Sequence, residues 1–236
     1  MLVKNAHEHG YGVLTYDGPG QGSALRDQGL KFTHEWEKPT GAVIDAFLAG
    51  HARPGKMVLL GMSMGGYLAP RAAAFDERFD GVVAYDVFFD MGATARRYVP
   101  PAAFWLHDHG FSAVVDMIIR AKVAMSPGFA WAIRNGMWAL GTEHALETVA
   151  AMQKYTLAGV AQRIKGDVLI LAGADDHFVP IEQVALFEKA LISARSVTTK
   201  IYDRASGGAE HCQFGAQALW HADFFDWVAG KFGATR

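Results

Sequence analysis

The sequence predicts an α/β protein with a mostly parallel sheet, flanking helices and a helical insertion. Short apolar runs followed by glycine-rich turns and helical patterns recur along the chain, as they do around a parallel sheet. Between Asp86 and Gly166 this rhythm stops, and about eighty residues of mainly helical pattern intervene. One strand, turn and helix carry the pattern G-x-S-x-G around Ser63. These three observations together predict the fold class.

Each predicted element follows from its apolar pattern and its bounding turns. The predicted strands cover residues 12–16, 57–60, 81–85, 167–172 and 197–202. The predicted helices cover residues 33–49, 64–76, 181–193 and 216–232. We predict a core from residues 1–90 and 166–236, with a helical cap over 91–165. The cap is rich in aromatic residues, which favours an apolar pocket and a small apolar or aromatic substrate.

Composition narrows the function classes. The 236 residues are 51% hydrophobic and 19% charged, which is typical of a globular protein with one large core. A formal net charge of −2 gives no basic surface for nucleic acid or anionic lipid, so neither partner is expected. The expected partner is a small-molecule substrate. An unpaired sheet edge would favour self-association, so a homo-oligomer stays open.

The cysteine content and the N-terminal residues indicate the cellular compartment of the protein. A single cysteine, Cys212, excludes an internal disulfide, and the first ten residues lack the apolar core of a signal peptide. No apolar run approaches the length needed to cross a membrane. The sequence therefore predicts a cytoplasmic protein.

The segment from Lys56 to Phe75 predicts an exposed nucleophilic serine. An apolar run leads into Gly61-Met62-Ser63-Met64-Gly65, and an alanine-rich helical pattern follows. The turn between strand and helix is so tight that side chains two residues either side of the serine are expected to collide, which predicts glycine at both positions. A glycine-rich turn in any doubly wound sheet is the alternative, but the strand and helix on either side favour the nucleophile.

A serine hydroxyl needs a histidine base that a carboxylate orients. Asp176 follows the predicted strand 167–172, and His211 follows the glycine loop after the last strand, so these are the predicted partners of Ser63. Asp175 is the rival to Asp176, and its alternative role is that of a solvated turn residue. The chain order Ser63, Asp176, His211 differs from the orders in chymotrypsin and subtilisin.

Other reactive residues have simpler interpretations. His107-Asp108-His109 resembles a metal site but lacks a nearby third ligand, so we interpret it as a solvated loop. Cys212 lies next to the predicted base and is interpreted as structural. We predict no metal and no cofactor.

With these residues placed, the chain resembles the α/β-hydrolase superfamily over nearly its whole length. The turn Asp17-Gly-Pro-Gly-Gln-Gly22 is similar to the superfamily's D-x-P-G-x-G turn, and residues 61–65 to its nucleophile elbow. The strings YDGPGQGSALRDQGL, GMSMGGYLAPRAAA, AGADDHFVP and GGAEHCQFG resemble the capped subgroup related to 2,6-dihydroxypseudooxynicotine hydrolase and to fungal polyketide-shortening hydrolases. The resemblance implies hydrolysis of a carbon–carbon bond next to a ketone, although bacterial relatives are often described as esterase-like.

The resemblance also implies a difference at the N-terminus. In the family, the first three strands and the loop that supplies a second oxyanion-hole N–H precede the D-x-P-G-x-G turn. Only sixteen residues precede Asp17 here, so we expect an N-terminally truncated chain or a misassigned start. The oxyanion donor expected from the elbow is the backbone N–H of Met64. Plain carboxylesterase activity, or a catalytically weak or non-catalytic protein on this fold, stays open.

Overall fold

A computed structural model of the chain describes residues 2–97 and 99–233, and only the backbone of residues 107, 108 and 112. Its helices and strands follow in chain order. They are α1 (Leu2–Glu8), α2 (Gly22–Arg26), α3 (Glu37–Gly50), β1 (Val58–Met62), α4 (Gly65–Ala73), β2 (Gly81–Tyr85), α5 (Met91–Arg96), α6 (Pro101–Asp108), α7 (Ser112–Met125), α8 (Pro127–Leu140), α9 (Ala145–Met152), β3 (Asp167–Gly173), α10 (Glu182–Ala190), β4 (Ser196–Tyr202) and α11 (Gln217–Phe232).

Within the described chain the sheet has four strands in the order β1-β2-β3-β4, and every neighbouring pair is parallel. The register places Val83 of β2 between Leu60 of β1 and Leu169 of β3. All residues of β2 and β3 are buried, which explains the continuous apolar runs at 82–85 and 168–172. Since the strands are parallel, their carboxyl ends all lie at one edge of the sheet, and side chains from several loops can meet there.

Helices and aromatic residues cover the sheet. α4 packs against β1 and β2, while α11 packs against β3. Trp220 and Trp227 of α11 are buried with Tyr85 of β2 and Leu171 of β3 in one apolar cluster. Tyr85 and Trp220 are in ring contact, with their centroids 4.7 Å apart. This cluster fixes β2 and β3, whose carboxyl ends lead into the predicted site.

Four of the five predicted strands are confirmed, with no end shifted by more than two residues. The strand predicted over 12–16 is wrong, because this segment is irregular and forms no ladder with β1. Val13 and Leu14 are largely exposed, so their apolar character does not correspond to a buried strand. A strand needs a hydrogen-bonded neighbour as well as a suitable pattern. The helical cap, predicted to follow the third strand, therefore follows the second strand of this sheet.

Residues of the chain form two compact units. The first contains Met1–Tyr16, Glu35–Phe89 and Leu157–Arg236, and thus the whole sheet. The second contains Asp17–His34 and Asp90–Thr156. The limits predicted from sequence, 1–90 with 166–236 and 91–165, stay a prediction.

Local sequence explains the helices of the second unit. The Asp90 side chain accepts a hydrogen bond from the N–H of Ala93 and caps α5. Ser126 caps α8, Pro127 occupies its first turn, and Gly141 ends it in the left-handed conformation. The predicted loop around His109 is wrong in part, since α6 extends to Asp108. The side chains of His107 and Asp108 lie outside the described residues, so the cluster itself is not described.

None of the helices within residues 2–97 and 99–233 combines the length and the apolar composition that a bilayer crossing requires. The predicted cytoplasmic location stays a prediction.

Candidate active site

The three residues predicted as a triad meet at the carboxyl edge of the sheet. Ser63 directly follows β1, Asp176 lies in the loop after β3, and His211 begins a short 3₁₀ turn after β4. Each therefore comes from a different loop at the same edge. All three belong to the first compact unit.

Ser63 lies at a sharp strand-to-helix turn. Its backbone has a φ of 56°, in the left-handed region that non-glycine residues seldom adopt. Its N–H donates to the carbonyl oxygen of Tyr85 at 3.0 Å, and its own carbonyl accepts from Gly66 N–H at 2.7 Å. These bonds hold the strained turn and leave the side chain at its tip.

The glycines around Ser63 are needed for reasons that only partly match the prediction. A Cβ atom on Gly61 would collide with the carbonyl of Gly65, as predicted. A Cβ atom on Gly65 would meet nothing within 4 Å, so the predicted collision at this position is wrong. Gly66 is the second crowded position instead, because its Cβ would collide with the carbonyl of Asp86. The crowding thus comes from the neighbouring strand and not only from the turn itself.

A continuous chain of hydrogen bonds links the three side chains. His211 Nε2 lies 2.8 Å from Ser63 Oγ, and His211 Nδ1 lies 2.6 Å from Asp176 Oδ2. These distances let the serine hydroxyl donate to Nε2 while Nδ1–H donates to the carboxylate. The histidine side chain is 11% exposed and that of Asp176 is 1% exposed, so the chain is shielded from water on the carboxylate side.

Backbone groups fix the carboxylate of Asp176. Its Oδ1 accepts hydrogen bonds from the N–H groups of Phe178 at 2.7 Å and Val179 at 2.9 Å. This leaves Oδ2 for the histidine. Asp175 lies close in sequence but pairs with the exposed Arg204 at 2.5 Å. The structure therefore brings Asp176, and not Asp175, to His211.

The predicted oxyanion donor is also close to Ser63. Met64 is the next residue and the N-terminal cap of α4. Its N–H has no protein acceptor among the described residues, as is usual for the first N–H groups of a helix, so its role as oxyanion donor stays a prediction. Its position at a helix N-terminus adds a partial positive charge.

The charges around His211 act on its pKa in opposite directions. Burial lowers the pKa of this imidazole, but the hydrogen bond from Nδ1 to Asp176 and the charges of Asp176 and Asp86 raise it more. The net result is a pKa above the ordinary value for histidine. The imidazolium form is thus stabilised at this position.

Sequence reasoning did not assign Asp86 to the site. Asp86 directly follows β2, its side chain is fully buried, and its Oδ2 lies 3.5 Å from His211 Nδ1. The same oxygen accepts a 2.6 Å hydrogen bond from the backbone N–H of Cys212. Burial and the nearby Asp176 charge raise its pKa. Its place at the end of a buried strand, at the same edge as Ser63, is the sequence signal that could have identified it.

Asp86, His211 and Cys212 also form a group whose potential metal-ligand atoms lie within 4.8 Å of one another. Two observations favour a hydrogen-bond network over a metal centre. His211 Nδ1 is bonded to Asp176. Burial raises the pKa of the Cys212 thiol, which disfavours the thiolate that metals bind. The absence of a metal stays a prediction.

A half-buried serine at a tight turn, with a histidine and an aspartate converging from later loops of a parallel sheet, defines the class of nucleophile-elbow α/β proteins. The family comparison agrees. The model of the "Alpha/beta hydrolase family" matches residues 2–222, and the chain belongs to this family.

Individual proteins are similar over most of this chain. Hydrolase LUC6 from a Fusarium species is 32% identical over 96% of the chain, and 20-hydroxy-prefusarin hydrolase FUS2 from Gibberella moniliformis is 30% identical over 96%. Both alignments cover 57% of the relative, so the chain spans little more than half the length of these relatives. The crystal structure of 2,6-dihydroxy-pseudo-oxynicotine hydrolase matches with a TM-score of 0.66 and 21% identity, over 94% of this chain and 54% of that one. This last likeness bears on the fold alone.

Proposed function

We propose that this protein is a serine-dependent hydrolase. Ser63 is the nucleophile, His211 the general base, Asp176 the carboxylate that orients His211, and the Met64 N–H an oxyanion donor. The observation that carries this proposal is the unbroken hydrogen-bond chain from Ser63 Oγ through His211 to Asp176, at 2.8 and 2.6 Å. Family membership supports the same conclusion.

The proposed reaction has two stages. His211 Nε2 takes the proton of Ser63 Oγ as this oxygen attacks the carbonyl carbon, and the resulting oxyanion accepts a hydrogen bond from Met64 N–H. The protonated His211 then gives its proton to the leaving group, which departs and leaves an acyl-serine. Water, deprotonated by His211, attacks this ester; the acyl C–O bond breaks, His211 returns the proton to Ser63 Oγ, and the acid is released. Asp176 stays ionised throughout and stabilises the imidazolium.

The geometry is compatible with several bonds that pass through the same oxyanion. An ester, an amide and a carbon–carbon bond next to a ketone each place a carbonyl carbon beside Ser63 and need a proton for the leaving group. We propose the ketone-adjacent carbon–carbon bond or an ester, since the similar proteins are named hydrolases and the sequence around Ser63, Asp176 and His211 resembles a subgroup whose members cleave such a carbon–carbon bond. In the carbon–carbon case, the protonated His211 supplies the proton to the departing carbon.

Apolar groups around the nucleophile favour an apolar or aromatic substrate. Phe178 packs edge-on against the His211 ring, with centroids 5.0 Å apart, and is 40% exposed. Met62 precedes Ser63 and is also exposed. An apolar acyl group beside Ser63 and His211 would cover Phe178 and remove its surface from water.

The first test is labelling with a fluorophosphonate probe, with the adduct located by mass spectrometry. We expect modification at Ser63 in the parent protein and none in Ser63→Ala. Ser206→Ala is the matched control, because Ser206 lies in the loop before His211 but bonds to Asp203, and it should label like the parent. A folded parent that is not labelled would contradict the proposal and favour a binding protein on this fold.

A second experiment separates the bond classes. The parent and Ser63→Ala are compared for hydrolysis of p-nitrophenyl acetate and of a vinylogous 1,3-diketone. A higher kcat/KM for the diketone supports carbon–carbon cleavage, whereas a preference for the acetate indicates a plain carboxylesterase. Ser63→Ala should lower either activity by about 10⁴-fold or more, since members of a triad act as a unit.

A further inference from the structure

We propose that Asp86 is a positioning residue for His211, which holds the backbone of the His211 loop and presents a second carboxyl oxygen to Nδ1 beside Asp176. This inference rests on the proposed serine-hydrolase function. It adds a residue to that function: one carboxyl group is enough to orient a histidine ring, but two, from Asp176 and Asp86, lie beside His211 Nδ1.

One oxygen of Asp86, Oδ2, lies close to both the backbone of the His211 loop and the His211 ring. Asp86 Oδ2 accepts the backbone N–H of Cys212 at 2.6 Å and lies 3.5 Å from His211 Nδ1. Cys212, whose backbone N–H this oxygen accepts, directly follows His211, whose ring the same oxygen faces. Asp86 therefore fixes both the loop and the environment of the ring, and a shift of less than 1 Å would bring Nδ1 to hydrogen-bonding distance.

Backbone strain points to the same residues. Within the described chain, four non-glycine residues have a left-handed φ: Ser63 at 56°, Asp86 at 56°, Cys212 at 52° and Gln213 at 42°. All four lie at the carboxyl edge, and one of them is the proposed nucleophile. Strained backbone conformations persist where the surrounding structure enforces them, commonly at functional sites. Asp86 and Ser63 thus share a left-handed backbone conformation that, elsewhere in the described chain, is adopted mainly by glycines.

The backbone around Asp86 is also locked to the nucleophile turn. Asp86 N–H donates to the carbonyl of Leu171 at 2.8 Å, and the Asp86 carbonyl lies against Gly66, where no Cβ would fit. Asp86 Oδ1 is buried and finds no hydrogen-bond partner among the residues that the structure describes. A buried oxygen without a partner is costly, so its retention calls for a functional reason.

The chemical consequence concerns the imidazolium. When His211 takes the proton of Ser63, its positive charge faces Asp176 at 2.6 Å and Asp86 at 3.5 Å. Ionised Asp86 then adds to the stabilisation of this charge. If Asp176 loses its charge, Asp86 is placed to accept Nδ1–H and keep the tautomer that leaves Nε2 free to act as base.

A double-mutant cycle with Asp86→Asn and Asp176→Asn tests the proposal. Asparagine at position 86 keeps an oxygen for the Cys212 N–H, so the loop contact is retained while the carboxylate is lost. The measured quantities are the rate of Ser63 labelling by the fluorophosphonate probe and, with p-nitrophenyl acetate, kcat and KM. Asp167→Asn is the matched control, because Asp167 is also buried in this sheet but lies at its opposite end.

The expected result is a strongly non-additive cycle. In a triad without a substitute carboxylate, the aspartate-to-asparagine change lowers turnover by about 10⁴-fold because it selects the wrong tautomer. We expect Asp176→Asn to lower kcat by only about 10²-fold, Asp86→Asn by less than about 10-fold, and Asp86→Asn in the Asp176→Asn background by a further factor of about 10². KM should change little. Equal effects of Asp86→Asn in both backgrounds would overturn the proposal, because a merely structural contact gives additive losses.

A spectroscopic measurement decides the matter if Asp86→Asn does not fold. The Nδ1 proton of a histidine bonded to a carboxylate gives a far-downfield proton resonance. In Asp176→Asn alone, a retained resonance supports acceptance by Asp86, and its loss contradicts it. Failure of the parent protein to label at Ser63 would instead overturn the proposed function, so the two failures are distinguishable.

Discussion

The aspartates at the two ends of the parallel sheet have opposite electrostatic environments. At the amino end, Asp167 is paired with Arg195 at 2.6 Å and with Ser196 at 2.6 Å, and these partners outweigh burial so that its pKa is lowered. Asp80 at the same end accepts from Lys56 at 2.6 Å, and its pKa is also lowered. At the carboxyl end, burial and the charge of Asp176 raise the pKa of Asp86.

This contrast separates stability from function within one sheet. Carboxylates at the amino end have cationic partners and hydrogen bonds, so their ionised forms stabilise the fold. At the carboxyl end, two carboxyl groups face one histidine, one of their oxygens has no described partner, and the backbone is strained at four positions. Such an arrangement is unfavourable for stability and is explained by the chemistry proposed for His211.

The largest effect is expected from crowding at the carboxyl end. Gly66→Ala places a methyl group against the Asp86 carbonyl, whereas Gly65→Ala places one in open space. We expect Gly66→Ala to lower the free energy of unfolding by about 1–3 kcal/mol, since the backbone must move to relieve the clash. It should also slow the labelling of Ser63, because Gly66 lies against the Asp86 carbonyl and its own N–H donates to the Ser63 carbonyl. Chemical denaturation and labelling rates measure the two effects.

Gly65→Ala is the matched control for that change. Alanine at the start of α4 should be neutral or stabilise the protein by about 0.4–1 kcal/mol, because it restricts the unfolded chain. Equal stability of the two variants would show that Asp86 does not lie as close to the nucleophile turn as described. Close packing of Gly66 against the Asp86 carbonyl would then not distinguish the carboxyl end of the sheet from the amino end.

The amino end should respond in stability and not in activity. Asp167→Asn removes the charge that Arg195 and Ser196 bind, and we expect a loss of about 1–2 kcal/mol at neutral pH with kcat unchanged. The pKa of Asp167 is lowered in the folded state, so its stabilising contribution is present above the unfolded pKa and is lost as the pH falls through the folded value.

Denaturation of the parent and Asp167→Asn at several pH values tests this sign. The difference in unfolding free energy should be largest at neutral pH and shrink on acidification below about pH 4, the ordinary pKa of aspartate. A difference that grows on acidification would contradict the assigned ion pair. A large fall in kcat would show that the two ends are not separate in function.

Much of this site could be predicted from the sequence because its signals are local. The glycines around Ser63, the aspartate after a buried strand and the histidine after a glycine loop are readable without coordinates, and the structure brings those three residues together. Whether they act as a triad stays a prediction. Pattern also gave the four strands that lie in the sheet, since buried parallel strands are continuously apolar.

What could not be predicted depends on neighbours distant in sequence. The segment 12–16 has an apolar pattern, but strand formation requires a partner strand that the pattern does not reveal. The need for glycine at position 66 arises from the Asp86 carbonyl, and the role proposed for Asp86 arises from the Cys212 N–H, which is 126 positions away. Single-sequence reasoning has no access to such contacts.

The choice between Asp175 and Asp176 provides the smallest expected effect. Asp175 pairs with Arg204, whose side chain is 87% exposed, and such pairs contribute little because water and salt screen them. We expect Asp175→Asn to leave the labelling rate of Ser63, kcat and stability close to those of the parent. Asp176→Asn differs from it by one position and should lower kcat strongly, because Asp176 is bonded to His211. If instead Asp175→Asn removed activity, the loop after β3 would present Asp175 and not Asp176 to His211. The two carboxyl groups beside His211 would then be those of Asp175 and Asp86.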